Sequence, residues 1–370
     1  MTKTRVLIVD DSAVVRRLVS EALATDPTIE VAGTAANGRI ALAKLAQLAP
    51  DVVTLDVEMP ELDGLATLVE IRKQWKTLPV IMFSAITERS AAATLEAIAR
   101  GANDYVTKPS STEGIDDARR RVATDLVPRV KAFARRLPTP APAKATDASS
   151  PARLAKPAPR ARPPLGRCQR VELLVIGVST GGPNALAELI PSLPESFPVP
   201  VLIVQHMPPV FTRLLADRLD TNSKLEVREC QGGEKLKAGF VYIAKGDHHM
   251  TVHGSRADAF LKLEQTPPEN SCRPAVDVLF RTAAGIFGAS TLSVVLTGMG
   301  QDGLLGCKLI RELGGQIIAQ DQATSVIWGM PGAIARAGLA DRILPLAAIG
   351  PELVTLSAAG SGALARWSTP

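Results

Sequence analysis

The stretch "LPTPAPAKATDASSPARLAKPAPRARPPLG", residues 137–166, has almost no large apolar side chain to bury. Proline, alanine and arginine dominate it, so nothing offsets the conformational entropy that ordering it would cost. It is expected to be a semi-extended, disordered linker. A chain of 370 residues is thereby cut into two parts, each of domain size. The expected boundaries are a first domain over residues 1–125, a linker over 126–168 and a second domain over 169–365.

Each part alternates strand and helix patterns. The first reads "RVLIV", "AVVRRLVSEALA", "DVVTLD", "PVIMFS", "DYVT"; the second reads "VELLVIGVS", "VPVLIVQHM", "GFVYIA", "TLSVVLTGM", "GGQIIAQD". Such alternation predicts parallel sheets covered by helices. The expected fold class is α/β, with two doubly wound parallel-sheet domains joined by the linker. Aromatic residues are only 4% of the chain, which argues against stacking platforms for single-stranded nucleic acid. The net charge of +5 also misleads. Residues 129–167 hold ten cations, among them Arg129 and Lys131, against Asp147 alone, so the rest of the chain is mildly acidic at −4. The basic charge is expected in the linker and not on a folded nucleic-acid-binding face. Cys168, Cys230, Cys272 and Cys307 show no close pairing, which fits buried thiols in a reducing compartment. "MTKTRVLIVDD" enters a strand at once, and no apolar run is long enough to span a bilayer. The expectation is a cytoplasmic protein with no membrane insertion and no nucleic-acid partner.

In an open parallel sheet the carboxyl ends of the strands share one rim, where ligands bind. In the first part Asp10 and Asp11 follow "VLIV", Asp56 ends "DVVTLD", Ser84 ends "PVIMFS" and Lys108 follows "DYVT". Crowded carboxylates repel unless a cation joins them, and an all-oxygen set with waters suits Mg²⁺. A carboxylate beside Mg²⁺ can attack phosphorus and become an aspartyl-phosphate. This constellation resembles the receiver domain of bacterial two-component response regulators, whose fold is flavodoxin-like. The resemblance implies that Asp56 accepts the phosphoryl group. It implies Mg²⁺ held by Asp10, Asp11, Asp56 and the Glu58 backbone carbonyl, and phosphoryl contacts from Ser84 and Lys108. Tyr105 falls at the aromatic switch position, and the Lys108–Pro109 bond is cis in that family.

The second part raises the question of Ser179. In "LLVIGVSTGGPNALAEL" it ends a strand and precedes a helix. His206 ends "VPVLIVQH", and Asp302 lies in the glycine-rich turn after "TLSVVLTGM". A serine, a histidine and an aspartate thus fall at three strand ends. Serine needs a base to take its proton, and a carboxylate on the far ring nitrogen fixes the base. Backbone N–H groups near Thr180, Gly181 and Met299 could receive an oxyanion. "GVSTG" also matches the G-x-S-x-G elbow of α/β-hydrolases, but those enzymes place the acid before the histidine. That order would need His248, His249 or His253, in a segment that reads as a loop or hairpin. A metal at "HHxxxH" ranks low, because cysteines and carboxylates at ligand spacing are lacking. A mononucleotide site at "GVSTGG" lacks the Walker lysine.

"GVSTGGPNAL", "VQHMPPVFTRLLADRLD", "PPENSCRPAVDVLF", "VVLTGMGQDGLLG" and "AQDQATSVIWGMPGAIARAG" resemble the catalytic domain of chemotaxis protein-glutamate methylesterases, the CheB family. The match runs from about residue 171 to about 350 and implies a Rossmann-like α/β domain. It implies Ser179 as nucleophile, His206 as general base and acid, and Asp302 as the orienting carboxylate. Met299 N–H would be an oxyanion donor, Thr180 would flank the nucleophile, and Arg273 would contact the receptor. The family hydrolyses γ-glutamyl methyl esters on chemoreceptor helices, and many members deamidate receptor glutamines. The partners implied are methyl-accepting receptors as substrate and a chemotaxis histidine kinase as phosphodonor. The esterase step is expected to need no cofactor. The unphosphorylated receiver is expected to cover the triad face. The competing readings are a receiver joined to an inert α/β adaptor, and a nucleotide-binding output domain.

Overall fold

The computed structural model describes residues 3–109, 114–134 and 170–358. The linker and Cys168 lie outside the described residues, as does the end of the second domain beyond residue 358.

The first unit runs β1 (Thr4–Val9), α1 (Ala13–Leu23), β2 (Ile29–Ala35), α2 (Gly38–Leu48), β3 (Val52–Asp56), α3 (Gly64–Gln74), β4 (Val80–Ser84), α4 (Glu88–Ala99), β5 (Asp104–Thr107) and α5 (Ile115–Ala134). Its five strands are all parallel, in the order β2-β1-β3-β4-β5. This is the flavodoxin-like winding. Val6, Leu7, Ile8 and Val9 are buried on both faces of β1, as a sheet sandwiched between helices requires. The turns that follow the strands end in polar N-caps. Ser12, Asn37, Asp63 and Thr87 each accept a hydrogen bond from a backbone N–H of the first helical turn.

Helix α5 corrects the expected domain boundary at residue 125. It continues to Ala134, because the buried stripe Ala118, Val122, Leu126, Val130 and Phe133 repeats at helical spacing straight through Pro128. Arg129 and Lys131 therefore belong to a packed helix and not to the linker's basic charge. Arg129 Nε donates to Asp104 Oδ2 at 2.9 Å, and Lys131 Nζ donates to Asp26 Oδ2 at 2.6 Å. The Lys108–Pro109 peptide is not cis; among the described residues the cis bond is Arg273–Pro274.

The second unit runs β6 (Leu173–Val178), α6 (Gly182–Leu189), β7 (Val201–Gln205), α7 (Phe211–Asn222), β8 (Glu226–Glu229), β9 (Phe240–Ile243), β10 (His249–His253), β11 (Phe260–Glu264), α8 (Val276–Phe287), β12 (Thr291–Val295), α9 (Leu304–Glu312), β13 (Gln316–Gln320), α10 (Met330–Arg336), β14 (Arg342–Leu344) and α11 (Leu346–Ala358). Seven strands form a parallel sheet in the order β14-β13-β12-β6-β7-β9-β8. The strand β6 comes first in sequence yet lies in the middle, so the winding reverses between β6 and β12. That is where a parallel sheet opens a crevice at its carboxyl edge. Strands β10 and β11 form a separate antiparallel hairpin. Among the described residues no helix is long and apolar enough to cross a membrane.

The two units pack against each other. Tyr105 of β5 stacks on Phe211 of α7, with ring centroids 4.8 Å apart and planes 7° from parallel. Arg213 Nη2 donates to Glu88 Oε1 at 2.6 Å, and Arg218 donates to the Leu95 carbonyl. Val326, from the loop before α10, packs against the core formed by α1 and α5. Leu95 and Tyr105 thus share one apolar core with Phe211, Leu215 and Leu186.

Arg129→Met keeps the aliphatic stem but removes the cation facing the buried Asp104 carboxyl. It is expected to cost on the order of 3 kcal/mol. Calorimetry should show the melting transition of the first unit lowered by several degrees. The exposed Arg17→Met should leave that transition in place, because a surface ion pair is worth little.

Candidate active site

Ser179 follows β6 on a turn fixed from three sides. Its N–H donates to Thr297 O at 3.0 Å, and its carbonyl accepts from Gly182 N–H at 2.8 Å and Gln205 Nε2 at 3.0 Å. The left-handed backbone of this turn falls on Gly181, with φ 78°, where a Cβ would strike Val326 at 2.5 Å. Ser179 itself is not at positive φ. The strained serine of a nucleophile elbow is therefore not the geometry here. Gly298 lets the turn after β12 close onto the serine, since a Cβ there would come within 2.9 Å of Ser179 Cβ. The N–H groups of Thr180, Gly181 and Met299 donate to no group among the described residues.

His206 follows β7, and Asp302 lies on the turn before α9. His206 Nε2 is 2.8 Å from Asp302 Oδ2. That carboxylate is saturated: Oδ2 also accepts from Val276 N–H at 2.7 Å. Oδ1 accepts from Asn270 Nδ2 at 2.9 Å, Asp277 N–H at 3.0 Å and Gly303 N–H at 2.9 Å. Burial alone would raise the Asp302 carboxyl, but His206 and these N–H donors hold it below the usual carboxylate range. Burial would likewise depress the His206 imidazole. The hydrogen bond to the Asp302 carboxylate, with the Cys272 sulfur beside the ring, outweighs it and pushes the imidazole up to about 10.

The structure brings Ser179, His206 and Asp302 to one cleft but does not chain all three by hydrogen bonds. Ser179 Oγ has no hydrogen-bond partner among the described residues. His206 Nδ1 instead faces Cys272 Sγ at 3.5 Å. Sequence reasoning missed Cys272, Asn270 and the backbone N–H pair that opens α8. The stretch "PPENSCRPAVDVLF" carries them, and Asn270 and Ser271 are at left-handed φ, 52° and 62°. The cleft, about 430 Å³, is lined by Ser179, Thr180, His206, Cys272 and Arg273 on one side and by Tyr105, Arg121 and Arg129 on the other. Arg273 is held to Asp247 Oδ1, with Nη2 at 2.6 Å and Nε at 3.0 Å.

The remaining histidines do not line this cleft. His249 is fully buried; its Nδ1 accepts from Ala275 N–H at 3.2 Å, and its Nε2 faces Pro267 O. His253 lies on the β10–β11 hairpin against Thr251 and Glu264. Among the described residues no three metal-ligating groups converge on this segment.

On the rim of the first unit, Asp10, Asp11 and Asp56 each offer a carboxylate oxygen within 4.8 Å of the others. Asp10 and Asp56 are buried and Asp11 is exposed. An all-oxygen set of this charge fits a hard divalent cation such as Mg²⁺. Lys108 Nζ bridges Asp10 Oδ2 and Asp56 Oδ2, at 2.8 Å each. Burial lifts the Asp56 carboxyl to about 6 against the pull of Lys108. Glu58 N–H lies 3.4 Å from Asp56 Oδ1. Ser84 does not point at Asp56 but is turned into α4, where its hydroxyl accepts from Thr94 Oγ1 at 2.7 Å. Tyr105 is buried against Phe211.

Two parallel-sheet units, one closing its strands with a carboxylate cluster and a lysine and the other with Ser, His and Asp, define a hydrolase joined to a receiver. Comparison with known proteins agrees. The CheB methylesterase family matches residues 174–353, and the response regulator receiver domain matches residues 6–120. A protein-glutamate methylesterase/protein-glutamine glutaminase of Nocardioides sp. is 53% identical over 96% of this chain and 95% of its own length. One of the same name from Trichodesmium erythraeum is 50% identical over 96% of this chain and 99% of its own. The solved catalytic domain of Thermotoga maritima CheB methylesterase is 45% identical, with TM-score 0.49, over 50% of this chain and 98% of that one. The chain belongs to the CheB methylesterase family.

The folded His206 titrates near 10, against its ordinary 6.5. Its bond to Asp302 therefore stabilises the fold fully below about pH 6.5, and that stability is lost as pH rises through 10. In urea unfolding, the gap between wild type and His206→Gln should narrow steadily from pH 7 to above pH 10. A gap that stays constant across that range would show His206 neutral throughout.

Proposed function

We propose that this protein removes methyl groups from γ-glutamyl methyl esters on the cytoplasmic helices of chemoreceptors, releasing methanol, and that the same site deamidates receptor glutamines. Phosphorylation of the receiver turns the activity on, giving adaptation in chemotaxis. The observation that carries the reading is the His206–Asp302 pair beside Ser179 at the point where the parallel sheet reverses.

In this reading Ser179 Oγ attacks the ester carbonyl as His206 Nδ1 takes its proton, and Asp302 stabilises the imidazolium that forms. The unused N–H groups of Met299 and Thr180 receive the developing oxyanion. His206 then returns the proton to the leaving methanol, or to ammonia when the substrate is a glutamine, and a water molecule repeats the sequence on the acyl-serine. Beside Cys272 and Asp302 the imidazole is held protonated, so it must first turn from Cys272 toward Ser179 and give up its Nδ1 proton to solvent.

Asp56 is the phosphoryl acceptor. Mg²⁺ held by Asp10, Asp11, Asp56 and the Glu58 carbonyl would neutralise charge on the transferring phosphoryl group. Lys108, already between Asp10 and Asp56, pairs with the phosphoryl oxygens. Ser84 leaves Thr94 to bind another of them. The space Ser84 vacates beside α4 draws on Tyr105, and a moving Tyr105 gives up its stack on Phe211. A receptor helix cannot enter the cleft while Tyr105, Arg121 and Arg129 line its other side. Phosphorylation thus biases a packed interface between two arrangements. A chemotaxis histidine kinase is the phosphodonor, and the protein works in the cytoplasm.

Methanol release from methylated receptor membranes, with and without a small phosphodonor plus Mg²⁺, tests the reading. Ser179→Ala should lose at least about a thousand-fold in rate. Asp56→Ala should keep the basal rate and ignore the donor. Phe211→Ala, which removes the stack under Tyr105, should raise the basal rate without donor. A Ser179→Ala protein as active as wild type would return the second unit to an adaptor.

A further inference from the structure

Among the described residues three cysteines are free, and they differ sharply in setting. Cys307 is buried in α9, with Ser293 Oγ 4.0 Å from its sulfur. Cys230 is buried beside Glu234, 3.5 Å away. Burial pushes both of these thiols well above the ordinary range. Cys272 is half-buried, lines the cleft and lies against the imidazole of His206. Its loop is rigid. Backbone bonds between Glu269 and Cys272 close the turn, at 2.9 and 3.1 Å, and Arg281 holds the Glu269 carboxylate with both guanidinium nitrogens.

A thiol becomes nucleophilic when a positioned base removes its proton. His206 Nδ1 lies 3.5 Å from Sγ, and the opposite ring nitrogen is bonded to the saturated Asp302 carboxylate. Cys272, His206 and Asp302 therefore form a second nucleophile–base–acid row that shares its base with Ser179. We propose that Cys272 is a modification site, reactive toward hydroperoxides and soft alkylating electrophiles, and that the modified side chain stops the esterase. The loss of esterase activity rests on the reading above; the reactivity of the thiol does not.

The chemistry balances. His206 takes the thiol proton, and the sulfur attacks one oxygen of a hydroperoxide. An S–O bond forms as the O–O bond breaks. The leaving oxygen takes the proton from the imidazolium and departs as water or an alcohol, and sulfur ends as a sulfenic acid. With iodoacetamide the sulfur displaces iodide, and the thiol proton remains on His206 until solvent removes it. Either adduct fills the space beside Nδ1 that Ser179 Oγ needs.

The test uses the full chain. Peptide mass spectrometry follows iodoacetamide and, separately, hydrogen peroxide at Cys272, Cys230 and Cys307, while methanol release is measured on the same samples. Cys272 should react at least about ten-fold faster than N-acetylcysteine at pH 7, since an imidazole held against the sulfur assists its attack. In His206→Asn and in His206→Gln, with folding checked by circular dichroism, that advantage should disappear. Methanol release should fall in step with modification, and the activity that Cys272→Ser retains should resist both reagents. Dithiothreitol should restore the peroxide-treated protein but not the alkylated one. Reaction at Cys272 no faster than the free thiol, an advantage that survives loss of the imidazole, or full modification with methanol release unchanged would each overturn the proposal. If untreated protein releases no methanol, the esterase reading fails, and the comparison of labelling rates still decides the reactivity of the thiol.

Discussion

The Asp302 carboxylate organises the second unit's rim. It accepts five hydrogen bonds, from His206, Asn270, Val276, Asp277 and Gly303. A buried charge with fewer partners would be costly or would neutralise itself. Because every lone-pair direction is used, one side chain fixes four pieces of chain at once. These are the end of β7, the Asn270 loop, the N-terminus of α8 and the glycine turn into α9. The first turn of α8 adds its positive end to the same carboxylate. The imidazole inherits its orientation and its raised pKa from this arrangement, and Cys272 is carried to it by the same loop that supplies Asn270.

The contact between the units has a different character. It rests on the Tyr105–Phe211 stack within a shared apolar core, the Arg213–Glu88 ion pair, the bond from Arg218 to the Leu95 carbonyl and the insertion of Val326 beside the Ser179 turn. Such an interface is apolar at its centre and charged at its edge, and the buried Arg129–Asp104 pair beside it lies within the first unit. That distribution holds the two units together without committing a large buried charge to their contact. Tyr105 sits at its middle and on the strand next to the one that ends in Ser84. The carboxylate rim of the first unit and the cleft are thus two edges of the same packed residues.

Most of the candidate site was legible in the strand ends. The pattern of an apolar run closed by Asp10, Asp56, Lys108, Ser179 or His206 needs only the period of a buried strand and the rule that parallel strands share a rim. The alternation of segments gave the fold class, and the composition of residues 137–166 gave the division of the chain. The position of helix α5 was less legible. Its stripe Leu126, Val130 and Phe133 crosses Pro128 and a run of basic residues, and composition outweighed spacing in setting the boundary at 125. Once folded, Arg129 and Lys131 are answered by Asp104 and Asp26, which lie 25 and 105 residues away in sequence.

What the sequence determined by itself is local: which residues end strands, which cap helices, and which segment cannot bury itself. Only the tertiary structure decided which of these ends face each other. It turned Ser84 into α4 and Tyr105 onto Phe211, it placed the left-handed backbone on Gly181 rather than Ser179, and it set Cys272 on His206. These are outcomes of packing between elements distant in sequence. Hydrogen-bond direction and side-chain rotamer there depend on which neighbours arrive, and no periodicity in the chain records that.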